Sequence, residues 1–240
     1  MTESHLIDDT PFGGAMGRLG PYGLDTIVVG DCLDVMRQMP DGCVDMAFCD
    51  PVYWEPLDER WIDEVVRILS NGASMFVSWS SLDVPTIQVP IAARLQLRNL
   101  IVWQYRNNNK FTRWDTFKHT WEPIIYATKG DGRYKVRLEA MGEVWTFAQP
   151  QSNFNHQDKK KHKWQKPTGL LERVVRASSN PSDLIFDPFM GSGTTAVAAK
   201  KLGRHYFGCD ISEEYVKMAR ERVAKIDGVQ MPLSHIEMED

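Results

Sequence analysis

The chain is 240 residues long, 42% hydrophobic and 25% charged, with a formal net charge of −4. This is ordinary globular composition, enough for one domain or one domain with a modest insertion. No run approaches the ~18 apolar residues that cross a membrane, and Met1–Gly20 lacks the basic start and apolar core of a signal peptide.

In chain order, the Gly, Pro and acidic residues near the start predict a mobile tail over 1–21. Thr26-Ile-Val-Val-Gly30 reads as a buried strand, and Cys32 to Met39 as a short helix stopped by Pro40-Asp41-Gly42. Val44 to Cys49 is a second strand, ending at Asp50. Trp61, Ile62, Val65, Val66 and Leu69 recur at helical spacing, with Asn71-Gly72 closing that helix. Ala73–Trp79, Leu100–Tyr105 and Glu122–Ala127 read as further strands. From about 106 to 163 the chain is otherwise polar, basic and irregular, an insertion on an α/β core. Leu170, Leu171, Val174 and Val175 form an apolar helical stripe, and Leu184–Phe186 is a strand. Gly191-Ser-Gly193 is a turn, Thr194–Leu202 a helix and His205–Cys209 the next strand. Ser212 is a good helix cap followed by Glu213 and Glu214, and Tyr215, Ala219, Val223 and Ile226 line one face. Residues 231–240 read as a tail. Strands alternating with helices predict an α/β fold, with a mostly parallel sheet and helices on both faces, in one domain over 22–230.

The net charge conceals an asymmetry. Residues 98–166 hold 14 Lys and Arg against 6 Asp and Glu, a local net of +8, so the rest of the chain carries −12. Five of the eight tryptophans (Trp103, Trp114, Trp121, Trp145, Trp164) lie in the same stretch. Basic and aromatic side chains interleaved suit a surface that tracks phosphates and stacks on bases. The plainer reading is a solvated loop region with a few core tryptophans. Cys32, Cys43, Cys49 and Cys209 show no C-x-x-C spacing, which argues against zinc and for a reducing cytoplasm.

Two segments carry chemistry. In Asp187-Pro-Phe-Met-Gly-Ser-Gly-Thr-Thr195 a strand ends in a Gly-rich turn that opens a helix, where a cofactor can approach the backbone. The next strand ends at Asp210, 23 residues after Asp187, where a carboxylate is placed to accept both hydroxyls of an adenosine ribose. A nicotinamide dehydrogenase also fits Gly191-x-Gly193-x-x-Ala196, but the 30 residues beyond Asp210 are too few for the rest of such a domain. The other segment is Asp50-Pro51-Val52-Tyr53-Trp54, beyond a strand's carboxyl end. A base amine is a poor nucleophile because its lone pair is delocalised into the ring. The Asp50 carboxylate and Pro51 carbonyl, accepting its two N–H groups, would localise that pair while Tyr53 holds the base flat. The plainer reading of this segment is an Asp-Pro turn with a core tyrosine.

Taken together the two segments resemble the β-class DNA amino-methyltransferases, which read D-P-P-Y first and F-x-G-x-G last. The resemblance runs from about Ile27 to Val223. It takes in Val29-Gly-Asp-Cys-Leu-Asp-Val-Met36, Pro40-Asp-Gly-Cys-Val-Asp45, His119-Thr-Trp-Glu122 and Gln165-Lys-Pro167. One departure stands out: the family's second proline is Val52 here.

The resemblance implies a Rossmann-like methyltransferase fold with permuted motif order and S-adenosylmethionine as cofactor. It implies Phe189, Gly191, Ser192, Gly193 and Thr194 as the cofactor loop after Asp187, with Asp210 on the ribose. Lys166 and Pro167 would cover the methionine end. Asp31 would lie near the adenine, with a helix cap as its other reading. The partner is double-stranded DNA, with a homodimer left open, no membrane, and a bacterial or phage cytoplasm as the setting. The target base would be flipped into the crevice, where Tyr53 and Trp54 stack on it. Arg106, Lys110, Arg113, Lys118, Lys159, Lys160, Lys161 and Lys163 would hold phosphates without reading sequence. Aspartate at position 50 resembles adenine-N6 enzymes more than the serine-headed cytosine-N4 ones. Cytosine N4 is the alternative, and a DNA-binding relic with weakened catalysis is another that Val52 favours. No metal is needed.

Overall fold

The computed structural model describes residues 18–106, 117–132, 142–151 and 164–226. The first packed feature is a small hairpin of β1 (Arg18–Leu19) and β2 (Tyr22–Gly23). Leu19 is buried, so packed chain begins inside the stretch expected to be a tail, anchored by one apolar side chain.

The main sheet and its helices follow in order: β3 (Thr26–Val29), α1 (Cys32–Met36), β4 (Val44–Cys49), α2 (Arg60–Ile68), β5 (Leu69–Ser78), α3 (Val84–Ala92), β6 (Gln96–Tyr105), β7 (Trp121–Thr128), β8 (Val144–Phe147), α4 (Thr168–Ser178), β9 (Leu184–Asp187), α5 (Thr194–Lys201), β10 (His205–Asp210) and α6 (Glu213–Ala224). The eight strands are ordered β3-β10-β9-β4-β5-β7-β6-β8. All are parallel except β7, which runs against β5 and β6.

Every residue of β4 and β9 is buried, as central strands covered on both faces must be. Alternation along β4 shows how the two faces are made. Ala47 and Cys49 join a cluster with Val35, Trp61, Ile62, Val65, Ile68, Ile87 and Ile91, from α1, α2 and α3. Met46 and Phe48 join Leu170, Leu171, Val174, Val197, Val216 and Ala219, from α4, α5 and α6. Three helices therefore cover each face, as the α/β reading expected. Each fully buried aliphatic contributes about 1.5–3 kcal/mol. Among the described residues no helix is long and apolar enough to cross a membrane.

Several local expectations change. Asn71-Gly72 does not close α2. The helix stops at Ile68, Leu69 turns extended at φ −65° and ψ 133°, and β5 starts at once. Gly72 sits within β5 at φ +80°, its N–H donating to the Lys129 carbonyl. Helix α3, over a stretch the sequence reading assigns to no element, carries Pro85 at its start and Pro90 inside it. Within 106–163, otherwise read as an insertion, β8 joins the sheet besides β7, the strand expected over Glu122–Ala127.

The turn into α5 depends on a close approach. Gly193 caps α5 at φ +80°, and a Cβ there would lie 2.7 Å from Ala219 Cβ and 2.8 Å from Ala219 Cα of α6. Gly203, beyond the other end of α5, has φ +70° but nothing within 4 Å of the same atom. Gly203→Ala should lose only the left-handed penalty, ~1–2 kcal/mol. Gly193→Ala adds an overpacking cost of ~1–3 kcal/mol, so its denaturation midpoint should fall distinctly further. Equal losses would mean that the α5–α6 contact yields freely.

Candidate active site

Two hydrogen-bonded strand pairs bring the chemical segments together. β4 pairs in parallel with β9 through Met46 to Ile185 and Ala47 to Phe186, and β9 pairs with β10 through Gly208 to Asp187. The chain runs outward from β4 to one edge and returns at β9, so this is a topological switch point, where a crevice opens beyond the carboxyl ends of the strands. Asp50, Asp187 and Asp210 stand at three of those ends. A cavity of about 580 Å³ opens there. Its lining includes Asp31, Asp50, Pro51, Tyr53, Trp54, Lys166, Asp187, Phe189, Gly191, Ser192, Thr194 and Asp210.

The Gly-rich turn is held from three sides. Asp210 accepts the Gly191 N–H at 2.9 Å and the Ser212 N–H at 2.8 Å. Asp187 accepts the Phe189 N–H at 2.9 Å and the Thr195 hydroxyl at 2.6 Å. Arg222 donates to the Ser192 carbonyl at 2.6 Å and to the Ser192 and Thr194 hydroxyls at 2.9 and 3.1 Å. Burial pushes the Asp187 carboxyl up to about 7, against those two hydrogen bonds and helped by the Asp50 and Asp210 charges. The Phe189 ring stands edge-on to Trp61, centroids 5.3 Å apart.

On the opposite wall, Pro51 is buried and Tyr53 half-buried. The Tyr53 ring stands edge-on to buried Trp79 at 6.0 Å and to exposed Trp54 at 5.5 Å. Trp54 in turn meets Trp164, with centroids 5.7 Å apart. Between the walls lies a buried ion cluster. Lys166 Nζ is 2.9 and 2.8 Å from the two Asp50 oxygens and 3.4 Å from Glu122 Oε1. Burial alone would lower the Lys166 pKa, but the Asp50 and Glu122 charges outweigh it and hold the ammonium above the ordinary lysine value. Burial raises Glu122, against the Lys166 charge and with the Asp50 charge.

The sequence-derived residues sort as follows. Asp31 caps α1, accepting the Leu33 and Asp34 N–H groups at 2.9 and 3.4 Å, and also lines the cavity. Pro167 caps α4, and its carbonyl accepts the Leu171 N–H at 3.3 Å; it is not among the cavity-lining residues, and neither is Gly193. Arg106 and Lys118 are exposed where β6 ends and before β7 begins, at the cavity's end of the sheet. Lys110, Arg113, Lys159, Lys160, Lys161 and Lys163 lie outside the described residues. Two residues given no role from sequence belong to the site, Arg222 and Glu122, and Trp164, read only as one aromatic of the basic stretch, lies on its rim. Arg222 had a visible signal, a basic side chain between Ala219 and Val223 on the buried stripe of α6.

The Asp187 shift has a sign that can be tested. A carboxyl raised to about 7 in the fold is protonated below that pH, and its contribution to stability is lost as pH rises from the ordinary range through 7. A cationic ligand such as S-adenosylmethionine favours the ionised form. Its affinity should therefore rise with pH towards 7, by at most about tenfold per unit, and level off above. In Asp187→Asn titration calorimetry between pH 6 and 8 should show that rise removed. A slope unchanged by the substitution would place the proton elsewhere.

The chain resembles known proteins in sequence and in fold. Residues 44–221 match the DNA methylase family model for amino-methylation at N6 and N4. The DNA adenine methyltransferase YhdJ of Escherichia coli K12 is 29% identical over 244 residues, covering 82% of each chain. Among solved structures, the M1.HpyAVI–SAM complex has a TM-score of 0.69 at 24% identity, covering 82% of this chain and 98% of that one. The cytosine-N4-specific PvuII DNA methyltransferase has a TM-score of 0.71 at 18% identity, covering 84% and 86%. The match spans both chemical segments in the order found here, and the chain belongs to the family of DNA amino-methyltransferases.

Proposed function

We propose that the protein transfers the methyl group of S-adenosylmethionine to the N6 amine of an adenine flipped out of double-stranded DNA. The observation that carries this reading is the single cavity that joins the Asp50–Tyr53 wall to the Asp187–Asp210 wall. Its volume of about 580 Å³ lies within the ~300–1,000 Å³ of small-molecule sites. Asp210 offers the ribose spare lone pairs beside its two backbone bonds, the Gly191 turn lets the ligand approach the backbone, and the carboxylates around the cavity suit a cationic centre. The bound cofactor supplies an electrophilic methyl group.

The protein's own part is to hold the amine and to exclude competing geometry. Asp50 and the Pro51 carbonyl accept the two N–H groups and localise the lone pair, and Tyr53, braced by Trp79, keeps the ring flat. Positioning of two reactants is the main source of rate in such a transfer. Trp54 and Trp164 form the aromatic rim over which the base would enter, and Arg106 and Lys118 supply phosphate contacts on the same side. The adenine assignment rests on Asp50 at the head of its segment and on the adenine specificity named for the E. coli relative. Cytosine N4 is the second reading, favoured by the family's scope and by the likeness to the PvuII enzyme.

Mass spectrometry of nucleosides after incubation with labelled S-adenosylmethionine and mixed DNA should find N6-methyladenine. N4-methylcytosine alone would move the assignment to cytosine, and no labelled base at all would restore the relic. Asp50→Ala should abolish labelling while cofactor and DNA still bind, because it removes the acceptor and leaves the pocket. A variant that keeps most of the wild-type rate would show that Asp50 does not hold the amine.

A further inference from the structure

Glu122 has no part in the reaction as described so far, yet few places in the fold are less hospitable to a carboxylate. It sits in β7 between Trp121 and Pro123, opposite Trp103 of β6, with its side chain only 10% exposed. Its Oε1 lies 3.4 Å from Lys166 Nζ, and its Oε2 accepts the Tyr105 hydroxyl at 3.4 Å. Lys166 reaches on to both oxygens of Asp50, and its ammonium lies 5.9 Å from the Trp103 ring centroid. Two carboxylates, from two different strand ends, thus share one buried ammonium.

A neutral Asp50–Lys166 pair would need no second acid. With Glu122 the cluster carries a net charge of −1, and buried charge without a partner is strongly unfavourable. We propose that Glu122 is a positioning residue of the methyl transfer: it holds Lys166 so that Asp50 can take the proton released by the amine without leaving a buried ammonium unpaired. The proposal rests on the reading that Asp50 meets the amine.

The step balances. The amine lone pair forms the new N–C bond, the C–S bond breaks with its electron pair going to sulfur, and the N–H proton passes to Asp50. Beforehand the −1 cluster faces a +1 sulfonium. Afterwards protonated Asp50, Lys166 and Glu122 sum to zero beside a neutral thioether. Lys166 keeps a carboxylate partner in both states.

This has a consequence for pH. Acid that protonates Glu122 withdraws the second carboxylate from Lys166, so kcat falls on the acid side. Burial and the Asp50 charge hold the Glu122 carboxyl above the ordinary carboxylate range, so Glu122 takes up that proton. Removing Glu122 should therefore move the acid limb to lower pH. The other groups facing the cluster are Tyr53, Tyr105, His119 and Asp187, and the effect of Asp187 on cofactor affinity is separated by measuring kcat at saturating S-adenosylmethionine. Burial holds both tyrosines above their ordinary value, so they stay neutral, while His119 needs its own control.

The test measures kcat, both KM values and the pH profile on full-length protein with S-adenosylmethionine and substrate DNA. Glu122→Gln should lower kcat by up to about a hundredfold, as small misplacements do, with both KM values little changed and the acid limb shifted down. Glu122→Asp, which keeps the charge, should hold the limb in place at a reduced rate, and it also covers the case in which the Gln variant fails to fold. An unmoved limb and unchanged kcat in Glu122→Gln overturn the proposal, and so does a limb that shifts as far in Glu122→Asp, or one that disappears in His119→Gln. Asp50→Ala, assayed alongside, separates the two levels: if it stays active, the reading of Asp50 fails first.

Discussion

The pairing of β4 with β9 is the constraint on which the site depends. Only two residue pairs define the contact, Met46 with Ile185 and Ala47 with Phe186, but both strands are buried on both faces. A slip of one residue would turn every side chain of β4 to the opposite helix layer, sending Phe48 into the α1–α3 side and Cys49 into the α4–α6 side. Register is therefore set by core packing, and the residues just past each strand inherit it. Asp50 and Asp187 face one cavity because Ala47 and Phe186 are partners, although they lie far apart in sequence. Buried Asp45 reinforces the same contact, accepting the Leu184 N–H at 2.9 Å across it.

A second regularity is that charge enters this interior only in partnered form. Asp45, Glu122, Lys166, Asp187 and Arg222 are all buried. Each meets an opposite charge, a backbone group or a hydroxyl, as buried charges must. Their division of labour follows from what they hold. Asp45 and Arg222 fix backbone, Asp187 fixes the turn and faces the cavity, and Lys166 with Glu122 surrounds the one carboxylate proposed to meet the substrate. The buried thiols of Cys49 and Cys209 stand nearby but are pushed well up by burial, which makes them packing groups and not nucleophiles.

How much of this was legible in the sequence depended on the range of the interaction concerned. Strands such as Val44–Cys49 and the cap at Ser212 are short-range patterns, and they occur where periodicity and side-chain chemistry place them. The Gly191–Gly193 turn was equally plain, because a strand running into glycines and then a helix has few other uses. The failures share one cause, a local signal overruled by the sheet. The stretch 84–92 is assigned to no element from sequence, yet it forms α3, with Pro85 in the first turn where no N–H partner is needed. Asn71-Gly72 read as a helix stop, yet β5 pairs with β4 from Leu69 onward and absorbs the glycine as a kink. Glu122 was visible as the acid at the head of an apolar strand and as the end of the family-like stretch His119–Glu122. What it meets is set by the contact between β7 and the segment before α4, which no local pattern encodes.

The same distinction bears on Val52, where the segment proposed to meet the base departs from the family's D-P-P-Y. A proline there restricts the residue before it to extended conformations, and valine gives up that restriction. The groups that matter lie to either side of it. Asp50 is held by Lys166, Pro51 is buried against the fold, and Tyr53 is braced by Trp79, whose own N–H donates to the Asp83 carbonyl at 2.9 Å. Val52 itself is 47% exposed. Three tertiary contacts thus supply the order that one ring would otherwise impose, and valine's β-branch still favours an extended chain. The substitution falls at the most outward-facing of Asp50, Pro51, Val52 and Tyr53, and each of the other three keeps a hold on the fold of its own.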